Sequence, residues 1–348
     1  MKKILVFNVG SSTIKFSMFE GREKTLEGKY ERLKTREDYV KAFNEISKQL
    51  YEKVGFDMIV HRVVHGGNIS KPARIDEKVK ERIKKYSKFA PLHNPKELMI
   101  INLAEKFKKP QYAVFDTAFF VKLPKVAKIY PIPIELIKKY HIQRFGFHGL
   151  SHESVSKGLK GKTITCHLGQ GASLSAIKNS KAIDTSMGLT PLEGIMMMTR
   201  SGSIDPGLIL FLEKKGHNAY KLLNLQSGFK GLTGLSDFKE VLKNLKKKEV
   251  KLAYDIFVYQ IIKFIGAYSA VLDGLNNLVF TGAIGENSFR LREDVCEHLD
   301  YLGVGLDKAK NKNRKNLEII SSKSSKVKVY VKHANEDVIM VEEVMKKR

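Results

Sequence analysis

One hairpin pattern, written twice, constrains this chain more than any other feature. Residues 3 to 8, KILVFN, form an apolar run of strand length, followed by Gly10-Ser11-Ser12-Thr13 and a second, alternating run, IKFSMFE. Residues 163 to 177, TITCHLGQGASLSAI, repeat the pattern around the turn Gly169-Gln170-Gly171. Short apolar or alternating runs bounded by Gly and Ser predict two strands and a tight turn in each place. The backbone N–H groups and hydroxyls of such a turn can hold a phosphate. Aligning Gly10 with Gly169 sets Asn8 opposite His167, one polar residue at the end of each first strand. A lone hairpin would imply little. A chain whose halves each begin this way predicts a duplicated α/β unit with nucleotide in the cleft between the copies.

At 348 residues the chain is long enough for about two or three domains. No uninterrupted apolar run reaches the roughly 18 residues of a membrane span, and MKKILVFNVGSSTIKF turns polar too soon for a signal peptide. A cytoplasmic protein with no membrane partner is the expectation. Cys166 and Cys296 lack metal-ligand spacing and read as reduced, near-core thiols. The net charge of +25 raises the question of a nucleic-acid surface. Its lysines are spread over helical segments without a nucleic-acid motif, so solvated helix faces are expected and a nucleic-acid partner is not.

Along the chain, a helical segment (36 to 54) precedes a strand at 57 to 67, DMIVHRVVHGG, with Arg62 in mid-run. A charge there is costly unless it faces a cleft or a partner. In APLHNP, Asn94-Pro95 can begin a helix, and His93 reads equally as a satisfied histidine or a ligand. QYAVFDTAFF opens as a buried strand ending at Asp116, and an acid at that end of an α/β strand points into the ligand crevice. His148 stands between Phe147 and Gly149 ahead of a helix start at Ser151-His152. Residues 184 to 206, DTSMGLTPLEGIMMMTRSGSIDP, hold Arg200 between a methionine cluster and a Ser-Gly-Ser turn, with Asp205-Pro206 set to start a helix. A planar guanidinium presented this way suits a carboxylate or a phosphate. An amphipathic helix at about 249 to 272 leads to a strand, NNLVFTG, and a glycine turn that lets backbone approach a ring or ribose.

Nine segments in this order, NVGSSTIK, HRVVHGG, APLHNP, FDTAF, RFGFHGLSH, CHLGQGAS, the 184 to 206 run, FTGAIGEN and HANED, resemble the acetate kinase family over nearly the whole chain. The resemblance implies a duplicated actin-like (ribonuclease H-like) two-lobed fold, divided at 1–145 and 146–334 with residues 335–348 packing back on the first lobe, and a homodimer. It implies reversible phosphoryl transfer between ATP and acetate, giving acetyl phosphate and ADP, with Mg²⁺ as cofactor and Mn²⁺ as an alternative. Arg62 and Arg200 match the arginines that hold the carboxylate and the phosphoryl group in flight. His148 matches the histidine that supports the same transition state, Asp116 the acid that orients substrate or metal, and Asn8 and Glu336 residues near Mg²⁺. The acyl pocket maps to Val64, Leu92, His93, Phe147 and Pro191, whose bulk favours acetate over propionate or butyrate. Phosphate and nucleotide contacts map to Ser11, Ser12 and Lys15, to His167, Leu168, Gly169, Gln170 and Gly171, to Asp237, Phe238 and Lys239, and to Gly282, Ala283, Ile284, Gly285, Glu286 and Asn287.

Some residues depart from the family pattern. Phe120 stands where histidine is common, Gln170 replaces asparagine, Met198 replaces glycine, Ser203 replaces aspartate and Lys239 replaces arginine. These bear on affinity and nucleotide preference and leave both arginines, His148 and Asp116 untouched. A propionate or other short-chain acyl kinase and a degenerate nucleotide-binding scaffold ATPase are the competing readings.

Overall fold

The first strand, β1 (Lys3–Val9), is buried on both faces. Successive side chains of a strand point to opposite sides. Leu5, Phe7 and Val9 therefore join one core with Tyr39, Phe43 and Ile46 of the helix Arg36–Lys53 and Ile100 of the helix Asn94–Leu103. Ile4 and Val6 join a second, with Met58, Val60 and Val114 and with Ile339, Met340 and Val344 of the helix Glu336–Lys346. Covering both faces is what makes KILVFN a continuous apolar run.

The computed structural model describes residues 1–10, 12–53, 55–313 and 319–346, so the proposed phosphate contact at Ser11 lies outside the described residues. Two units share the chain: Met1–Val121, Phe147–Leu150 and Asn335–Arg348 form the first, Lys122–Gly146 and Ser151–Ala334 the second.

The first unit holds β1, β2 (Thr13–Glu20), β3 (Glu23–Glu31), β4 (Met58–Val63), β5 (Ala73–Arg74) and β6 (Gln111–Phe115) in one sheet, in the order β3-β2-β1-β4-β6-β5. The second holds β7 (Lys162–Leu168), β8 (Ala172–Lys178), β9 (Lys181–Thr185), β10 (Asn277–Thr281) and β11 (Lys328–Val331), ordered β11-β10-β7-β8-β9. In each sheet the first strand pairs antiparallel with its hairpin partner and parallel with the strand on its other side. Taken from β9, the second sheet repeats the first from β3 to β6, so the duplicated α/β architecture expected from the two hairpins is present.

In the second unit the helix Lys248–Leu272 packs on β8 and β7. By length and composition alone it could cross a membrane. Its buried Ala253, Phe257, Ile261, Ile265 and Tyr268 recur every three or four residues, the stripe of a helix laid on a sheet.

Candidate active site

In the first unit, three neighbouring parallel strands bring polar groups to their carboxyl ends, where open α/β sheets bind ligands. Asn8 comes from β1, Arg62 from the adjacent β4, and Asp116 directly follows β6. The Arg62 guanidinium donates to Asp116 through Nη2 at 2.6 Å and Nε at 3.2 Å, and through Nη1 to Asn8 Oδ1 at 3.0 Å. Asn8 Nδ2 donates in turn to Glu336 Oε2 at 2.8 Å, and that carboxylate lies 3.7 Å from Arg62 Nε. Glu336 opens the helix Glu336–Lys346, where the helix dipole favours a carboxylate. Four residues spread from position 8 to position 336 thus share one network.

Asp116 is fully buried. Burial pushes its carboxyl up and the two bonds from Arg62 pull it back. Burial opposes the Arg62 charge, but the Asp116 and Glu336 carboxylates outweigh it and hold the guanidinium above its ordinary range. A charge-assisted fork of this kind fixes the arginine in orientation as well as in charge.

His148 has a left-handed backbone, φ 55°, which residues other than glycine rarely adopt. The following Gly149 lies so close to the Asp116 carbonyl that a Cβ would overlap it. Strain of this sort costs on the order of 1–3 kcal/mol and persists where surrounding contacts impose it.

Of the proposed acyl pocket, Val64 and Phe147 are buried and Leu92 and His93 partly so, all in the first unit, while Pro191 belongs to the second. The chain leaving β4 is pinned from the helix Asn94–Leu103: Asn94 Oδ1 accepts from His65 N–H at 3.0 Å, and Glu97 Oε2 accepts from Val64 N–H at 3.0 Å. Glu97 Oε1 is buried without a hydrogen-bond partner among the described residues, and burial pushes the Glu97 carboxyl up to about 8. Glu97 carries little signal in the sequence, only an acid in the first turn after HNP and beside an apolar run.

The first hairpin turn closes through Gly10 N–H to the Thr13 carbonyl at 2.8 Å, and Ser12 and Lys15 are exposed. In the second unit the matching turn closes through Gly169 N–H to the Gly171 carbonyl at 3.0 Å. His167 pairs in register with Thr281 at the end of β10, and its Nδ1 lies 2.7 Å from Ser151 Oγ. Gly282 has φ 77°, and a Cβ on it would come within 2.6 Å of the Leu168 carbonyl, so glycine brings the start of the short helix Gly282–Asn287 against the end of β7. Leu168, Ile284 and Gly285 are buried, Gly282 is partly buried and Ala283 is exposed. Asn287 Nδ2 donates to the Ala283 carbonyl, and Glu286 Oε2 meets His333 Nδ1 at 2.9 Å. Gln170 Nε2 donates to the Ser236 carbonyl at 3.3 Å. Asp237 caps the helix Phe238–Lys243 by accepting from Lys239 N–H, and Phe238 is buried against Phe229, Tyr254 and Phe257.

Arg200 lies in the second unit in a different setting. Its Nη1 donates to the Pro191 carbonyl at 3.0 Å and approaches Met197 Sδ at 3.6 Å. Among the described residues no carboxylate pairs with it, and burial pushes its guanidinium down to about 10, still charged at neutral pH. Met196, Met197 and Met198 beside it are buried.

Among the described residues no three His, Cys, Asp or Glu side chains form a metal cage. Mg²⁺ is usually held by one or two carboxylates with substrate phosphates and water. The Asp116 and Glu336 carboxylates and the Asn8 amide, gathered at one point, are a donor set of that kind.

Comparison with known proteins adds an independent line. The sequence profile of the acetokinase family matches residues 27–342. The acetate kinase of Carboxydothermus hydrogenoformans is 39% identical over 391 aligned positions, covering 99% of this chain and 98% of its own. Among solved structures, the acetate kinase of Porphyromonas gingivalis matches at a TM-score of 0.88 and the propionate kinase of Francisella tularensis subsp. tularensis at 0.89. Both are 34% identical, and each match covers 99% of both chains.

Proposed function

The chain belongs to the acetokinase family and is a phosphotransferase acting between ATP and acetate, and from that premise we propose how its own residues carry the transfer. An acetate oxygen, already anionic, attacks the γ-phosphorus of ATP; the new O–P bond forms as the bond to the β-phosphate oxygen breaks, and ADP leaves. No general base is required, so the protein's task is alignment and neutralisation of charge on the phosphoryl oxygens. The observation that carries this reading is Arg200, a half-buried guanidinium held by a carbonyl and a sulfur with no carboxylate among the described residues to neutralise it. Its charge is available to the phosphoryl group in flight. Arg62 binds the acceptor carboxylate, Asp116 holds Arg62 in place rather than taking a proton, and His148 donates to the phosphoryl oxygens. Two glycine-bearing segments of the second unit, the turn Gly169-Gln170-Gly171 and the short helix Gly282–Asn287, hold the nucleotide.

Mg²⁺, with Mn²⁺ as an alternative, would be held at Asn8 and Glu336 together with substrate phosphates. It would neutralise phosphate charge. Acetate is the preferred acceptor, and the bulk of Val64, Leu92, Phe147 and Pro191 supports this. One methylene is worth only about 1–3 kcal/mol, so propionate is a slower substrate rather than an excluded one. The likeness to a propionate kinase supports that second activity.

The chain works as a cytoplasmic homodimer. The helix Pro206–Lys214 supports a partner copy: none of its residues is buried, and Leu208, Leu210 and Phe211 are exposed. Trapping acyl phosphate as hydroxamate, with ATP, Mg²⁺ and a series of acids from formate to butyrate, tests the assignment. Acetate should give the highest kcat/KM, and no product above an Arg200→Ala control would leave a nucleotide-binding scaffold as the better reading.

A further inference from the structure

The stretch before His148 carries an arginine that the reaction above does not use. Arg144 ties the chain after β9 to the helix Lys125–Lys128: Nε donates to the Ala127 carbonyl at 3.1 Å, Nη1 to the Thr185 and Met187 carbonyls at 3.1 and 3.2 Å, and Nη2 to Glu193 Oε1 at 2.6 Å. The other Glu193 oxygen accepts from the Tyr130 hydroxyl at 2.6 Å, and that hydroxyl accepts from Leu189 N–H at 2.9 Å. The guanidinium also lies over the Tyr130 ring, 5.5 Å from its centroid. A Cβ on Gly188 would overlap both Glu193 Oε2 and the Tyr130 hydroxyl, so the three groups close at a point where only glycine leaves room.

This network ends two residues from Pro191, the carbonyl that receives the Arg200 guanidinium. On the other side of Glu193, Gly194 N–H donates to Ser203 Oγ at 3.0 Å and Ser203 N–H returns to the Gly194 carbonyl at 2.8 Å. The loop carrying Arg200 is therefore fastened at both of its ends. Among the described residues no carboxylate holds this cation in one orientation, so its position must come from the backbone around it.

We propose that Tyr130, Arg144 and Glu193 form a clamp that sets where the Arg200 guanidinium sits, making them positioning residues of the transfer reaction. The inference rests on the role given to Arg200 above. The clamp reaches Arg200 through the backbone of its loop, chiefly the Pro191 carbonyl.

Tyr130→Phe, which keeps the ring and deletes the hydroxyl, and Arg144→Lys, which keeps the charge and deletes the fork, are made in the wild-type and Arg200→Ala backgrounds. kcat, both KM values and the melting temperature are measured for each. Contacts in one network couple, so each change should lower kcat about tenfold in the wild type, leave the KM for ATP unchanged, and lower kcat no further when Arg200 is absent. An equal fall in both backgrounds, or a lower melting temperature with unchanged kcat, would make the network a brace for the fold alone. Full kcat in Arg200→Ala itself would remove the Arg200 assignment, and the clamp with it. A large loss in Arg200→Ala with additive Tyr130→Phe would remove only the clamp.

Discussion

Arg62 and Arg200 are the same residue type placed in opposite surroundings. Arg62 is gripped by Asp116, approached by Glu336 and bonded to Asn8, so its charge is more than balanced before a substrate arrives. Arg200 meets a carbonyl and a sulfur, and its charge is opposed only by burial. The difference teaches that orientation and charge can be supplied separately. A balanced guanidinium is a rigid fork for a stable carboxylate, while an unbalanced one gains most when negative charge grows on its neighbour.

The largest expected effect is on rate. Arg62→Met and Arg200→Met should each lower kcat by roughly a hundredfold or more, as loss of a single oxyanion donor does. Full activity in either would break the pairing. Stability separates them next. Arg62→Met strands the buried Asp116 carboxylate and should cost roughly 3–5 kcal/mol in urea unfolding, whereas Arg200→Met removes a half-buried charge that no carboxylate among the described residues balances and should leave stability equal or higher. Equal losses would show that the two environments differ in appearance only.

A smaller effect should appear on the Arg62 side as pH changes. Burial raises the folded-state value of Glu97 to about 8, above its ordinary 4.5. The proton therefore stabilises the folded protein fully below about 4.5, and that contribution is lost as pH rises through about 8, at up to about 1.4 kcal/mol per pH unit. Glu97→Gln should flatten this slope in melting curves taken between pH 5 and 8. It should also weaken any rise in the KM for acetate above pH 8, since an ionised Glu97 adds a further negative charge near Arg62. Smallest of all, Met197→Leu keeps the volume beside Arg200 and loses the sulfur, and it should change kcat by less than about threefold. A larger loss would mean that the thioether, and not the Pro191 carbonyl, orients the guanidinium.

The hairpin that begins each sheet was legible in the sequence because its signals are local: an apolar run, a glycine turn and an alternating return are adjacent in the chain, whereas β3, β5, β9 and β11, short or largely polar, carried no such signal. The site was legible only where a polar residue interrupts such a run, as Arg62 and Asp116 do. Asn8 and Glu336, at opposite ends of the numbering, were reached through family resemblance, and their shared bond to one another was not foreseen. Glu97 and Arg144 were missed for a physical reason. Lone charges in helical or loop segments look solvated, and burial by distant elements is invisible to periodicity. Phe238 shows the converse: a residue expected from resemblance to contact nucleotide is packed into a cluster of aromatic rings.

The helix Glu336–Lys346 covers one face of the first sheet, yet it follows the whole second unit in the chain. On a ribosome, the apolar side of β1 that bears Ile4 and Val6 must therefore wait, uncovered, until all of residues 151–334 have been made. Glu336 reaches Asn8 at the same late moment. Completion of the first half thus depends on synthesis of the second, and a half-made chain exposes a sticky surface that invites chaperones or aggregation.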